Sequence, residues 1–204
     1  MTIRFHRQDL PAPVTGVAAV AVDTETMGLN HGRDRLCLVQ LSTGDGSADL
    51  VQIDPGQSAA PNLSALLADE GIVKIFHYAR FDMAALERTF KVTPRPVFCT
   101  KIASRLTRTY TDKHSLKDLV RELLGIDLSK QQQSSDWGSP TLSEAQLQYA
   151  ASDVLYLHAL REALAERLAR EGRDGLARSC FEFLPTRVAL DLAGWPDEDI
   201  FSHA

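Results

Sequence analysis

Two acidic residues stand one position apart at the end of the most apolar stretch of the chain. The stretch covers residues 17–23 (VAAVAVD) and ends in Asp23, and Glu25 follows after one threonine. A nearly unbroken apolar run is typical of a strand that is covered on both faces. Residues i and i+2 of a strand point to the same face, so the two carboxylates are predicted to emerge together. Acids also cap strand ends for purely structural reasons, so this pair alone does not establish a site.

Helices are predicted to carry the other residues that could do chemistry. Asp82 falls in the first turn of a helix, where the helix dipole favours an acid, so structure alone also explains it. His77, just before that helix, could equally be a strand-end histidine. Tyr149 and Asp153 are four residues apart, which places the phenol and the carboxylate on one helix face. Apolar residues flank Asp153 in the sequence, so its carboxylate needs a compensating charge.

Together these patterns predict four carboxylates at the edge of one sheet. The predicted metal ligands are Asp23, Glu25, Asp82 and Asp153. Hard oxygen ligands in this number suit two Mg²⁺ or Mn²⁺ ions, which prefer carboxylates and keep positions open for a substrate phosphate. Two such ions can generate an attacking hydroxide and stabilise a leaving 3′-oxygen. The sequence therefore predicts metal-dependent cleavage of phosphodiester bonds.

The elements that must position these acids begin with strands. Residues 36–41 and 49–53 are short apolar runs, separated by the turn sequence STGDG at 42–46. Spacing this tight predicts an antiparallel meander with the strand at 17–23, because parallel neighbours need a longer crossover. Another buried strand is predicted at 72–76.

Helical signals follow in the rest of the chain. The first predicted helix runs from a cap at Asn62 to Leu67, and the second covers about 79–90, with Pro94 and Pro96 ending that unit. A third helix is predicted from Ser115 to about Gly125. The fourth is predicted from Ser143, where Gln146 completes a capping box, to about Arg170, and Gly172 ends it. A last helical stretch contains Pro185, which is expected to break or kink it. A polar loop is predicted at 131–140. The order of elements predicts an α/β domain of the ribonuclease H-like type, with a mixed sheet (antiparallel meander plus parallel strands) flanked by helices.

Composition predicts one globular domain over residues 1–204. Apolar residues make up 44% of the chain and charged residues 24%, as in soluble globular proteins. No apolar run is long enough to cross a bilayer, and the N-terminus has no apolar leader region. The three cysteines are odd in number and far apart, which favours free thiols in a reducing cytoplasm over disulfides or a zinc site.

The net charge of −5 argues against a general nucleic-acid coat protein, which would be basic. The window 72–121 nevertheless carries eleven Lys or Arg against four acids. Such a window is often only a solvated face. A local basic surface on an acidic protein also suits a short anionic ligand better than a long duplex.

Three segments of the chain resemble, in order, the three motifs of the DEDD exonuclease superfamily: Asp23-x-Glu25, HYARFD at 77–82 and Tyr149-x-x-x-Asp153. The tyrosine in the third segment resembles the corresponding residue of the tyrosine branch of that superfamily, the ribonuclease D-like proteins. The match covers about residues 15–170, and the stretch QSSDW at 133–137 also resembles ribonuclease D. Polymerase-type proofreading domains usually carry Asn where this chain has Tyr78, which favours the ribonuclease D side.

The resemblance implies a 3′–5′ exonuclease with assigned roles. It implies that Asp23, Glu25 and Asp153 bind the ion that activates water, while Asp23 and Asp82 reach a second ion, Asp82 partly through water. Tyr149 is expected to orient the water, since a phenol with an ordinary pKa near 10 is a poor base at neutral pH. Five residues are expected to bind substrate: Thr26, Met27, Gly28, Leu29 and His77. Leu29 would wedge between the last two bases, although a core position at a strand end is a serious alternative.

Full ribonuclease D carries helical nucleic-acid-binding domains after the exonuclease domain. In this chain about 30 residues follow the long predicted helix, which is too few for such domains. A free-standing exonuclease of this size most resembles the bacterial nano-RNase C family. That resemblance implies cleavage of dinucleotides and very short single-stranded RNA or DNA, including linear products of cyclic dinucleotides, by a ring-shaped octamer. The 5′ end would need a cap, and the candidates are Arg80, Arg108, Lys113, His114 and Lys130. The segment at about 173–204 is a possible oligomer interface through Phe181, Phe183, Leu184 and Trp195, which could instead pack on their own domain.

Three alternatives remain open from the sequence. One is trimming of the 3′ ends of structured RNA such as tRNA, in the manner of ribonuclease D. A second is a degenerate exonuclease fold that only binds nucleic acid. A third, weaker because its ligand spacing is wrong, is a metal-dependent phosphatase using His77 and His114.

Overall fold

The computed structural model describes residues 2–128 and 135–203. Its strands are β1 (Thr2–Arg7), β2 (Ala19–Thr26), β3 (Leu36–Ser42), β4 (Ser47–Gln52), β5 (Val73–Phe76) and β6 (Val97–Cys99). Its helices are α1 (Pro61–Ala68), α2 (Ala79–Phe90), α3 (Thr100–Thr107), α4 (Leu116–Leu119), α5 (Glu144–Leu155), α6 (Leu157–Arg170) and α7 (Asp174–Ala193). A π-helical turn, Val120–Leu124, continues α4.

The strands form one mixed sheet in the order β1-β4-β3-β2-β5-β6. β2, β3 and β4 are the predicted antiparallel meander, while β5 is parallel to β2 after the crossover through α1. β6 extends the sheet parallel to β5, and β1 lies parallel to β4 at the other edge. The predicted α/β class and mixed sheet are confirmed. β1 was not predicted, because the apolar alternation of this short, largely exposed edge strand (TIRFHR) is confined to Ile3 and Phe5.

Helices cover both faces of the sheet. One apolar core joins the sheet to α1, α2 and the middle of α7. The other joins it to α5, α6 and the segment around Leu119 and Val120. β2 has apolar neighbours on both faces, which explains its unbroken apolar run.

The predicted cap of α1 is wrong. The helix begins at Pro61 with Ala60 as its N-cap, and Ala60 offers no side-chain acceptor. Instead, the carboxylate of Asp9 accepts hydrogen bonds from the backbone N–H groups of Asn62 and Leu63, each at 2.9 Å. The free N–H groups of the first turn are thus satisfied by a residue far away in sequence.

The long helix predicted from Ser143 to Arg170 is two helices. The Ser143–Gln146 capping box that starts α5 is confirmed. A turn at Tyr156 (φ −101°, ψ −5°) then separates α5 from α6. α6 ends at Arg170, with Gly172 at φ +64° just beyond it.

The predicted break at Pro185 is also absent. α7 continues across it for 20 residues. Proline removes one helical hydrogen bond, but Leu184 and Val188 are buried against the sheet core on either side of it. Tertiary packing therefore holds the helix together at this position.

Three further expectations concern composition and loops. The thiols of Cys37, Cys99 and Cys180 are free, as predicted. No helix in the two described ranges combines the length and apolarity needed to span a membrane. Of the predicted loop at 131–140, residues 131–134 lie outside the described residues.

The Asp9 cap gives a direct test of how the N-terminal segment stabilises the fold. We expect Asp9→Ala to lower the free energy of unfolding by about 1–2 kcal/mol, because the substitution leaves the first N–H groups of α1 without their acceptor. Urea denaturation measures this change. Asp112→Ala removes an exposed loop acid and should leave the midpoint unchanged; equal midpoints for both variants would contradict the assigned cap.

Candidate active site

Carboxylates from β2 and α5 meet in a tight cluster. Asp23 and Glu25 come from β2 and Asp153 from α5, and one oxygen of each lies within 4.8 Å of the others. Among the described residues, no other group of three His, Cys, Asp or Glu side chains is this compact. The i, i+2 spacing on β2 thus places both acids on the face that α5 covers.

The sheet and α5 hold these acids in place from two sides. β2 lies between β3 and β5 in the sheet: it pairs with β3 at Asp23 and Glu25, and with β5 over residues 19–21 earlier in the strand. α5 buries Ala150, Ala151 and Val154 against the same face. This packing holds α5 against the sheet and places Asp153 next to the acids of β2.

Asp82 approaches the site from the opposite face of β2. Its side chain is 3% exposed, and its Oδ1 accepts a hydrogen bond of 2.7 Å from the hydroxyl of Thr24. Thr24 lies between the two acids of β2, and strand alternation points it toward α2. Asp82 is outside the compact group of three, yet its charge raises the pKa of Asp23. Sequence reasoning overlooked Thr24, although alternation along β2 predicts its direction.

All four acids have pKa values above their ordinary range. Loss of solvent is the largest cause for each of them. It raises the pKa of Asp23 strongly and that of Glu25 to about 9, and the charges of the neighbouring acids add to both shifts. Desolvation also raises the pKa of Asp82 and of Asp153 to about 7. The cluster therefore holds more negative charge than its surroundings stabilise.

The acid cluster fits divalent cations. Within the described residues, no Lys or Arg forms an ion pair with Asp23, Glu25, Asp82 or Asp153. Asp23, Glu25 and Asp153 are only half-buried, so an ion can reach them. Hard oxygen donors with unbalanced charge are what Mg²⁺ or Mn²⁺ requires.

Tyr149 lies one turn before Asp153 and remains protonated. Burial and the charges of Asp153, Glu25 and Asp23 raise the pKa of its phenol. A hydrogen bond with Tyr149 in turn lowers the pKa of Asp153, against the larger effect of burial. At neutral pH the phenol is thus protonated and can donate a hydrogen bond at the edge of the acid cluster.

A cleft of about 290 Å³ opens beside the acids. Its lining combines acidic, basic and aromatic side chains: Asp23, Thr24, Glu25, His77, Tyr78, Lys101, Ser115, Leu116, Lys117, Leu128, Tyr149 and Asp153. Lys101 and Lys117 were not singled out from the sequence. Lys101 lies on α3. The sequence signals of α3 and of the preceding strand β6 were too short for either element to be predicted.

His77 lines this cleft as a neutral side chain. Its Nδ1 lies 2.9 Å from the hydroxyl of Thr100. Burial, followed by the charge of Lys101, lowers the pKa of His77 to about 3. A neutral imidazole can donate or accept a hydrogen bond to a ligand but does not contribute a positive charge.

The four residues after the first acid pair do not line this cleft: Thr26 ends β2, and the next three residues form a loop. Thr26 donates a hydrogen bond of 2.5 Å to the carbonyl of Gly28. A Cβ on Gly28 would lie 2.3 Å from Asp34 Oδ2, so a larger residue there would have to displace the Asp34 side chain. Met27 is 59% exposed and Leu29 is 85% exposed, which makes the core alternative for Leu29 wrong. Leu29 borders a second cleft of about 630 Å³, and Tyr78 borders both clefts.

The basic residues considered for the 5′ end fall into different environments. Arg108 is fully buried, and its guanidinium bonds Glu122 and Ser104, so it is not free for a ligand. Arg80 pairs with Asp191 of α7 at 2.6 Å and borders the second cleft. His114 lies 2.8 Å from the hydroxyl of Ser104 through its Nδ1. Lys113 is exposed, and Lys130 lies outside the described residues.

The acid cluster predicts how metal-free stability depends on pH. The pKa of Glu25 is about 9, and those of Asp82 and Asp153 about 7, in the folded protein; all exceed their unfolded values near 4. Between these limits the folded state binds more protons than the unfolded state, so stability falls as pH rises. We expect the Tm in EDTA to drop by roughly 5 °C or more between pH 6 and pH 8.5. Added Mg²⁺ should recover much of this loss.

Two variants test whether this pH dependence comes from the acid cluster or from acidic residues in general. Glu25→Gln should raise the metal-free Tm at pH 8.5 and reduce the Mg²⁺ response. Glu166→Gln removes an exposed acid of α6 and should behave as wild type. A metal-free Tm that is constant or rises over this pH range would disprove the proposed charge imbalance.

Known proteins share this architecture and sequence. The 3′-5′ exonuclease family matches residues 5–169. Brucella melitensis NrnC with bound Mg²⁺ is 60% identical with a TM-score of 0.96, covering 100% of both chains. The same protein bound to pGG is 61% identical with a TM-score of 0.97, again over both full chains. Ribonuclease D of Gluconacetobacter diazotrophicus is 38% identical over 154 residues, which is 76% of this chain and 39% of that protein.

The chain thus spans about two fifths of the length of the curated ribonuclease D relatives that it matches, but all of NrnC. The strand order and flanking helices agree with the ribonuclease H-like fold expected from the sequence, since the likeness extends over every element. On the family match over 5–169 and the full-length likeness to NrnC, this chain belongs to the ribonuclease D-like, DEDD-type 3′–5′ exonuclease family with tyrosine in its third motif, a family that depends on divalent metal ions.

Proposed function

We propose that this chain is a 3′–5′ exonuclease that uses two metal ions, Mg²⁺ or Mn²⁺, to release 5′-mononucleotides from short single-stranded oligonucleotides. Dinucleotides, including linear products of cyclic dinucleotides, are its main substrates in this proposal. The observation that carries it is the small cleft with the acid cluster at one side and Lys101 and Lys117 among its other lining residues. The full-length likeness to NrnC bound to pGG supports the short substrate.

The four acids hold the ions in this proposal. Asp23, Glu25 and Asp153 bind the ion next to the attacking water, and Asp23 with Asp82 binds the second, Asp82 partly through water. When bound, the ions supply a water of lowered pKa and neutralise charge on the leaving 3′-oxygen. The convergence of Asp23, Glu25 and Asp153 within 4.8 Å supports the shared site.

Tyr149 orients the attacking water by donating its phenolic hydrogen bond. The raised pKa of the phenol supports this role, because the group keeps its proton at neutral pH. His77 contacts the sugar or phosphate of the terminal nucleotide through a neutral ring. A neutral histidine avoids adding a charge that would compete with the metal ions.

Leu29 separates the last two bases of the substrate, and the preceding residues Thr26, Met27 and Gly28 present it. Its side chain is 85% exposed, so it is not part of the core of this domain and is available to contact a ligand. The loop beneath it is fixed by the Thr26–Gly28 hydrogen bond and by the close approach of Asp34 to Gly28.

The 5′ end of a short substrate is held by Lys101 and Lys117. These side chains line the same cleft as the acids and offer two positive charges for a terminal phosphate. Lys101 lies 4.3 Å above the ring of Tyr78, which keeps the ammonium group at the cleft. Arg80 remains a second candidate at the neighbouring cleft.

We propose that the chain acts in the cytoplasm as a homo-oligomer, an octamer by family resemblance. Its three free thiols support a reducing compartment. Phe183 and Trp195 are 38% and 44% exposed, which supports an interface on the C-terminal segment. Phe181 and Leu184 pack on their own domain instead.

Trimming of structured RNA 3′ ends is the second candidate, favoured by the identity to ribonuclease D over 76% of the chain. The short coverage of those relatives counts against transferring their whole activity. A binding module without catalysis is disfavoured because the acids, Tyr149 and an open cleft occur together.

The decisive experiment compares hydrolysis of a 5′-phosphorylated dinucleotide with that of 7-mer and 20-mer strands in Mg²⁺. We expect the dinucleotide to be consumed fastest, and Asp153→Ala to slow the reaction roughly a hundredfold or more. Glu166→Gln is the control. If long strands shorten to dinucleotides that then persist, processing of longer RNA replaces the proposed substrate; activity that survives EDTA would refute the metal site.

Leu29→Ala tests the contact between the bases. Losing this contact should raise KM for the dinucleotide roughly tenfold, because burying a leucine side chain contributes about 1.5–3 kcal/mol. Phe5→Ala is the control, since Phe5 is 38% exposed on β1 at the far edge of the sheet. Steady-state kinetics with both variants measure the effect, and an unchanged KM for Leu29→Ala would remove Leu29 from the substrate site.

A further inference from the structure

Gln40 is a buried polar residue without a partner. It lies in the middle of β3, its side chain is fully inaccessible, and neither its Oε1 nor its Nε2 has a hydrogen-bond partner among the described residues. Leaving a buried amide unpaired destabilises a fold, and most native polar groups avoid it. An apolar side chain of similar size would suit a position beside Leu50 on the neighbouring strand. A glutamine here requires another explanation.

The register of the sheet places Gln40 beside the acid cluster. Gln40 on β3 is directly opposite Asp23 on β2. Residues that oppose each other in an antiparallel pair share a face, with Cβ atoms about 4.5–5.5 Å apart. Asp23 and Gln40 therefore lie together on the face that α5 covers, where the acid cluster forms.

The two side chains are chemically complementary. Among the described residues Asp23 forms no ion pair, and no hydrogen bond of its carboxylate to a side chain or backbone N–H is present. A carboxylate that binds a cation through one lone pair retains others that accept hydrogen bonds. The Gln40 amide can donate through Nε2 without adding charge to the site. Residues that support metal ligands in this way orient the ligand and strengthen binding.

We propose that Gln40 is a positioning residue that donates a hydrogen bond from its amide to the carboxylate of Asp23 when that carboxylate binds a metal ion. The inference rests on the proposed role of Asp23 as a metal ligand. In the metal-free protein the amide is unpaired and lowers stability, and metal binding supplies the charged acceptor that it lacks. Gln40 thereby couples the third strand of the sheet to metal affinity.

The test is Gln40→Met, which keeps the shape of the side chain and removes its polar atoms. Mn²⁺ affinity of the intact protein, measured by electron paramagnetic resonance without substrate, should weaken 10- to 100-fold. The metal-free Tm should be equal to or above that of wild type, since an unpaired amide is lost. In dinucleotide hydrolysis at limiting Mg²⁺, kcat should fall while KM for the dinucleotide stays constant. Gln40→Leu is a second variant with the same expected pattern.

Gln52→Met is the matched control. Gln52 is also buried on the sheet and also has an unpaired Oε1, but it lies opposite Leu38 and bonds the carbonyl of Ser139 through Nε2. Its replacement should leave Mn²⁺ affinity unchanged. Wild-type affinity in Gln40→Met, or equal losses in both variants, would overturn the role of Gln40 alone. A wild-type protein that binds no Mn²⁺ would overturn the metal site and the inference together.

Discussion

The structure depends on keeping negative charges close together where water is largely excluded. Three carboxylates converge within 4.8 Å, and Asp82 adds a fourth from the other face of β2. Mutual repulsion and desolvation both oppose this arrangement, so the surrounding fold has to maintain it. The sheet does so by pairing the acid-bearing end of β2 with β3 and the earlier residues of the strand with β5, and α5 does so by burying small apolar residues against that sheet. This arrangement lowers stability at the site where we propose that metal ions bind.

Other buried charges in the protein are treated differently. Lys74 is fully buried, but its ammonium donates hydrogen bonds to the carbonyls of Asp69, Ile72 and Arg95. Arg108 is equally inaccessible and pairs with Glu122, whose pKa it lowers to about 2. These groups link neighbouring chain segments and have their partners within the protein. Among the described residues the acid cluster has no Lys or Arg partner and the Gln40 amide has no hydrogen-bond partner, which distinguishes a binding site from a structural ion pair.

The segment around Tyr78 connects the site to the rest of the molecule. Tyr78 adopts a left-handed conformation (φ +72°) between β5 and α2, which is uncommon for a bulky residue and is typical of functional sites. Its ring contacts Lys101 of α3 and borders both clefts. Two positions later, Arg80 is held by Asp191 of α7. The start of α2, which carries Asp82, is therefore fixed by contacts from the C-terminal helix.

The sequence by itself determined the acids, their pairing and the main architecture, because these follow from short-range periodicity. The i, i+2 spacing of Asp23 and Glu25, the i, i+4 spacing of Tyr149 and Asp153, and the tight meander each require only local geometry. The tertiary structure decided what depends on distant partners. Asp9 caps α1, packing carries α7 across Pro185, and strand register sets Gln40 opposite Asp23. No local pattern encodes these contacts, since each joins residues that become neighbours only after folding.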